Sequence, residues 1–141
     1  MYRKAALLLI AVLLYGCAGS STVPAEIAIE ETEFGYSPSS MTVVVRQPVT
    51  LTIHNAGSTE HDFVIQKINA SDVVEEGSAS TEHSMHDMQG LEDYDLHVST
   101  REGETSILKF TPQEAGMYQV FCSVPGHKEL GMLAELIVVE E

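Results

Sequence analysis

Basic side chains are scarce in this sequence of 141 residues, which has seven Lys and Arg against 21 Asp and Glu and a formal net charge of −14. Arg3 and Lys4 stand in the first sixteen residues, which contain no acid, so a chain without that segment would have 21 acidic and five basic side chains, a net charge of −16. This excess argues against nucleic acid or an anionic membrane surface as a partner. It favours a cationic docking partner or a salt-rich medium.

Long apolar runs are also missing. The run over residues 5–14 is shorter than the about 20 residues that span a bilayer. It follows Arg3 and Lys4 and ends at Tyr15-Gly16-Cys17, an order typical of an export signal. The sequence therefore predicts a chain that works outside the cytoplasm, in the periplasm or at the cell surface.

The end of this signal resembles a bacterial or archaeal lipobox, in which the Cys thiol receives lipid and becomes the first mature residue. We predict a lipoprotein signal peptide over residues 1–16, lipidation of Cys17 and a short tether over residues 17–24. The protein would then be anchored to a prokaryotic membrane by its lipid. An ordinary cleaved signal with an incidental Cys is the alternative.

Cysteine is the third scarce residue, since the chain has only Cys17 and Cys122. If Cys17 is lipidated, no disulfide can form within the chain, although export usually places a protein where disulfides persist. A lone thiol at Cys122 is then a buried structural residue, a nucleophile or a metal ligand.

Past residue 24 the sequence alternates apolar and polar residues, as half-buried antiparallel strands do. Turn signals rich in Pro, Gly, Ser and Asn separate these segments. The pattern predicts an all-β protein with one domain over residues 25–141, a β-sandwich of about seven to eight strands without a long helix. Residues 69–101 are rich in Ser, Glu, Asp and His with little periodicity, and we expect an inserted loop there.

The strongest chemical signal follows the predicted strand over residues 117–121. There Cys122, His127 and Met132 occur within eleven residues. A Cys at a strand end followed by a turn with His and Met can place three soft or borderline donors around one point. Thiolate and thioether stabilise Cu(I), and imidazole suits both oxidation states of copper. The sequence therefore predicts one copper ion, with a second His supplied from elsewhere.

At these residues the chain resembles the cupredoxins, the small blue copper proteins that include plastocyanin, azurin, auracyanin and halocyanin. The resemblance covers nearly all of the mature chain and rests on the ligand loop together with Phe34, Pro38, Asn55, Gly57, His61-Asp62-Phe63, Phe110, Pro112, Gly116 and Tyr118. It implies a Greek-key sandwich with the insertion between the first His ligand and the Cys strand.

The resemblance also implies a ligand set. His61, Cys122 and His127 would bind copper in one plane, and Met132 would be a weak axial ligand. Asp62 and Asn55 would support the ligands by hydrogen bonding. His54 competes with His61, but it alternates with the inward Ile53 and should face solvent.

The expected function is outer-sphere transfer of single electrons by a monomer, with copper cycling between Cu(I) and Cu(II). Electrons would pass through a docking patch beside His127, which we define as Val124, Pro125, Leu130 and Leu133. A basic cytochrome or a membrane oxidase is the expected redox partner. We expect no enzyme, because one short domain lacks the second copper site of the multicopper oxidases.

A second group of copper donors stands in the acidic segment, where His83, Met85, His86 and Met88 alternate, with His97 nearby. Such donors can bind Cu(I) or Cu(II) exchangeably. They leave a copper-delivery or copper-buffering protein as the alternative function, against the simpler interpretation of a solvated acidic loop.

Overall fold

The computed structural model describes residues 23–78 and 94–141. These residues form ten β-strands and include no helix long and apolar enough to cross a membrane. The strands are β1 Ala25–Thr32, β2 Gly35–Ser37, β3 Ser40–Val44, β4 Val49–Asn55, β5 His61–Ile65, β6 Ala70–Glu76, β7 Leu96–Thr100, β8 Thr105–Pro112, β9 Gly116–Phe121 and β10 Leu133–Val139.

Two five-stranded sheets pack face to face, in the orders β2-β1-β4-β8-β6 and β3-β10-β9-β5-β7. The β1–β4 and β3–β10 pairs are parallel, and the remaining pairs are antiparallel. Period-two sequence explains the packing: along β4, Val49, Leu51 and Ile53 are buried while Thr52 and His54 are exposed. This confirms the predicted all-β sandwich and the outward position of His54.

The structure corrects the prediction of an irregular segment over residues 69–101, because β6 and β7 lie within it. All residues of β6 after the half-buried Ala70 are exposed, so both faces of this edge strand, which pairs only with β8, are open to solvent. Such a strand needs no apolar alternation, which is why composition alone suggested a loop. The described residues form ten strands instead of the predicted seven to eight, because β6, β7 and the three-residue β2 add to the strands that the alternation predicted.

Three neighbouring strands of the second sheet bring the copper-binding motif to one end of the sandwich. His61 begins β5, Phe121 ends β9 and Leu133 begins β10. Phe121 is the pairing partner of Leu133 on one side and of Val64 on the other. Because these strands are antiparallel, the start of β5 and the end of β9 meet at the same edge.

Candidate metal centre

Three side chains converge at this end of the sandwich. One imidazole nitrogen each from His61 and His127 and the Sγ atom of Cys122 all lie within 4.8 Å of one another. The two Nδ1 atoms are 3.2 Å apart, and Cys122 Sγ is 3.5 Å from His127 Nδ1. This is the sole such group among residues 23–78 and 94–141, and its members are those that the resemblance implied.

His61 is fully buried, and the turn before it is shaped to receive its ring. A Cβ atom on Gly57 would lie 2.5 Å from His61 Nε2, so only glycine fits there. Asn55 holds the turn: its Nδ2 donates to Thr59 O at 2.7 Å and to Thr100 O at 2.8 Å, and its Oδ1 accepts from the Gly57 N–H at 2.9 Å. The predicted support by Asn55 is therefore a bracing of the backbone that delivers His61.

Cys122 is 1% exposed and follows β9 directly. Its Sγ accepts a hydrogen bond from the Asp62 N–H at 3.4 Å. Burial is the main influence that raises the pKa of the thiol to about 11, against the opposing effect of the Asp62 and Val124 backbone amides. The thiol is therefore protonated until a metal displaces its proton.

His127 sits in a loop of consecutive turns and is only half-buried. Its N–H donates to Val124 O at 3.1 Å, and its carbonyl accepts from the Met132 N–H at 3.0 Å. Gly126 and Gly131 have φ values of 87° and 100°, which other residues rarely adopt. These glycines allow the chain to reverse within one short loop and aim the imidazole at Cys122.

Met132 joins the two loop ligands through its backbone. Its N–H donates to His127 O, and its carbonyl accepts from the Cys122 N–H at 3.3 Å. The side chain is 0% exposed and packs in the hydrophobic core. The structure thus ties the Met132 backbone to both loop ligands and keeps its side chain away from water.

Asp62, the residue after His61, connects the start of β5 to Cys122 and Ser123. Its backbone reaches Cys122, its carboxylate accepts from Ser123 Oγ and from Ser99 Oγ at 2.5 Å, and its carbonyl accepts from Tyr36 Oη at 2.5 Å. Burial opposes its ionisation, but hydrogen bonds from His97, Ser123 and Ser99 outweigh burial and hold the pKa of this carboxyl below its ordinary value. The bridging role expected of Asp62 agrees with this geometry.

Sequence reasoning missed Glu31, which is 0% exposed. No hydrogen bond of ordinary length reaches its carboxyl oxygens from the described residues. Burial and the neighbouring Asp62 carboxylate raise the pKa of Glu31 to about 8, against the weaker influence of the Thr100 hydroxyl. Its position was readable, because Ile27, Ile29 and Glu31 share one face of a strand with period two.

The donor set fits copper. One thiol and two imidazoles are the soft and borderline donors that copper prefers. Burial, followed by the proximity of His127, lowers the pKa of His61, so its imidazole is neutral and available to a metal. Two of these donors are buried at neighbouring strand ends and the third is half-buried in a loop, and hydrogen bonds position the backbone of each.

The docking patch lies beside this site. Leu130 is 63% exposed and Leu133 37%, Pro125 is exposed and Val124 is half-buried. The structure adds Phe34, 48% exposed, whose ring meets the His127 ring edge-on at 5.7 Å between centroids. The remaining sites predicted from sequence, Cys17 and the donors His83, Met85, His86 and Met88, lie outside the described residues.

Fold and donors together define a small β-sandwich copper protein. The sequence matches the plastocyanin/azurin family of copper binding proteins over residues 23–139. The chain belongs to that family, and copper is its cofactor.

One curated relative is the copper-resistant cuproprotein CopI of Rubrivivax gelatinosus, which is 27% identical over 103 residues. That alignment covers 73% of this chain and 59% of CopI, so the chain spans about three fifths of that relative.

Solved structures show the same fold. Auracyanin A from Chloroflexus aurantiacus has a TM-score of 0.60 at 20% identity, covering 83% of this chain and all of auracyanin A. Auracyanin from Roseiflexus castenholzii gives 0.59 at 19% identity, covering 82% and 97% of the two chains. A multicopper oxidase from Campylobacter jejuni gives 0.60 at 17% identity, covering 86% of this chain but 31% of the oxidase.

Proposed function

We propose that this protein carries single electrons outside the cytoplasmic membrane and is not an enzyme. The observation that carries the proposal is the pairing of a buried His61–Cys122 half with a half-exposed His127 beside an apolar surface. Copper bound there would supply a one-electron couple between Cu(I) and Cu(II).

The chain's own residues make that couple usable. His61, Cys122 and His127 would hold the ion, and Met132 would supply a fourth, weaker donor. The strand ends and the hydrogen bonds of the loop would hold these donors in nearly one arrangement in both oxidation states. The docking patch and Phe34 exclude water around the His127 ring when a partner binds.

The surroundings of the protein are part of the same proposal. An acidic chain with an apolar patch suits brief docking to a cationic protein such as a cytochrome or a membrane oxidase. The chain works as a monomer, and the lipid on Cys17 keeps it within a short reach of its membrane.

A second candidate is copper handling, which the name of the relative CopI favours. In that case the His/Met segment over residues 82–88 delivers or buffers copper, and the buried site is secondary. The two candidates differ in how readily copper leaves the protein.

The test is cyclic voltammetry of the copper-loaded protein combined with copper exchange into a chelator. An electron carrier gives a reversible one-electron wave and keeps its copper. Rapid loss of copper to the chelator, abolished by replacing His83 and His86, would support copper handling instead.

Replacing Met132 with Leu tests the axial donor in the same experiment. Leu and Met have similar volumes, so the substitution should lower the free energy of unfolding by less than about 1.5 kcal/mol. Without the thioether the reduction potential should rise by about 59 mV or more, a tenfold shift toward Cu(I). An unchanged potential would remove Met132 from the ligand set.

A further inference from the structure

His97 is the one histidine of the acidic segment that lies among the described residues, and the proposed function gives it no role. Its side chain is 42% exposed, and its Nε2 lies 3.6 Å from Asp62 Oδ1. Ser99 Oγ lies 3.3 Å from the same Nε2 and donates to the same carboxylate oxygen. A solvent-accessible imidazole therefore contacts the carboxylate that supports the metal centre.

The other side of Asp62 faces the ligands. Its second carboxylate oxygen accepts from Ser123 Oγ, and its backbone N–H donates to Cys122 Sγ. One residue thus contacts His97 at the surface and two consecutive residues of the ligand loop. These contacts form a continuous path from solvent to the thiol.

The groups around His97 favour its charged form. Asp62 on β5, Glu75 on β6 and Glu60 before β5 are the charged groups that act on it, and the Tyr94 ring meets it edge-on at 6.0 Å. The hydrogen bond to Asp62 is the largest influence, and it raises the pKa of His97 against the effect of burial. Protonated His97 pairs with Asp62 as an ion pair that is partly screened by water.

We propose that His97 is a positioning residue for electron transfer, which holds and neutralises the Asp62 carboxylate so that a proton gained or lost at the surface changes the reduction potential of the copper site. The inference rests on the proposed function. A positive charge at His97 favours the reduced site, which carries one negative charge more than the oxidised site. The electron comes from the electrode or redox partner and the proton from the buffer, and no covalent bond other than that N–H is made or broken.

The reduction potential of the copper-loaded protein, measured from pH 5 to 9, tests this inference. The potential should fall as pH rises through the pKa of His97. We expect the reduced protein to bind the His97 proton about threefold more tightly than the oxidised protein, which corresponds to a fall of about 28 mV. His97→Gln should lose this fall and keep the lower potential. Glu31 remains in both proteins, so its own titration cancels in the comparison.

His54 provides the matched control, because it is an exposed histidine on the other sheet, where its Nδ1 lies 3.1 Å from Glu104 O. The reduction potential of the His54→Gln protein should change with pH as that of the unmodified protein does. A pH profile of His97→Gln equal to that of the unmodified protein would overturn the inference while leaving the electron carrier intact. Absence of any reversible wave would instead overturn the proposed function.

Nuclear magnetic resonance of the histidine rings tests the Asp62–His97 pair without copper. In the metal-free protein Asp62→Asn should bring the pKa of His97 down toward its ordinary value. An unchanged His97 titration would show that Asp62 does not act on the ring, and the inference would fail on that result as well.

Discussion

The metal centre has two unlike halves. His61 and Cys122 stand at the ends of neighbouring strands and are fully or almost fully buried. His127 stands in a loop of turns, half-buried, with its ring against the exposed Phe34. Two histidines with the same chemistry are therefore placed in opposite environments.

The difference separates two tasks. Strand ladders and the Asn55 and Asp62 hydrogen bonds fix the buried half, which keeps water away from the thiol. The loop half leaves one ligand next to the surface, where a partner can approach. The proposed electron transfer would use both properties at once.

The largest expected effect comes from removing each imidazole in turn. His127→Gly should open a hole to solvent, so added imidazole should enter it and restore the visible copper band. His61→Gly should create a buried cavity, destabilise the fold by about 2–5 kcal/mol and resist rescue. Absorption titrations measure the imidazole concentration that restores the copper band in each variant. It should be at least about tenfold higher for His61→Gly than for His127→Gly. Equal concentrations would contradict the contrast between the two halves.

The second effect concerns the buried carboxyl next to the strand half. Glu31 has its pKa raised from 4.5 to about 8, so the folded state binds a proton that the unfolded chain releases above pH 4.5. The contribution of Glu31 to the free energy of unfolding should therefore be largest below pH 4.5. It should fall by about 1.4 kcal/mol per pH unit above that pH, until the pKa of the folded state is reached.

Glu31→Gln should remove this fall, and chemical denaturation of both proteins between pH 5 and 8 measures it. Glu30→Gln is the matched control, because Glu30 is exposed on the same strand. A Glu31→Gln protein as pH-sensitive as the Glu30→Gln protein would show that Glu31 is not the buried acid responsible.

The smallest effect concerns the loop half. Leu130→Glu places a charge in the docking patch, which should slow electron self-exchange by about tenfold because two patches must meet and shed water. Val74→Glu changes an exposed valine on β6 and should leave the rate unchanged. Line broadening in mixtures of oxidised and reduced protein gives both rates, and equal slowing would point to overall charge rather than the docking patch.

The sequence predicted the two loop members of the converging group well, because Cys122 and His127 are close in the chain and chemically specific. The proposed role of Met132 as a further donor remains a prediction. The first ligand, His61, came from resemblance, since its distance from Cys122 in space depends on the pairing of β5 with β9. Alternation along β4 was enough to place His54 outside.

The features that sequence reasoning missed depend on contacts between residues far apart in the chain or on the exposure of an edge strand. Strand β6 was not predicted, because an edge strand that is exposed on both faces shows no apolar alternation. The partners of Asp62, among them Ser99 and His97, come from β7, which also lay in the segment interpreted as a loop. Glu31 was overlooked because an acid on an inward face is rare.

The most direct test of the central claim is the absorption and electron paramagnetic resonance spectrum of the whole protein after Cu(II) is added and excess is removed. The account predicts an intense visible thiolate-to-copper band with narrow copper hyperfine splitting, both lost in Cys122→Ser. A pale spectrum with wide splitting that survives Cys122→Ser, and disappears when His83 and His86 are replaced, would contradict it.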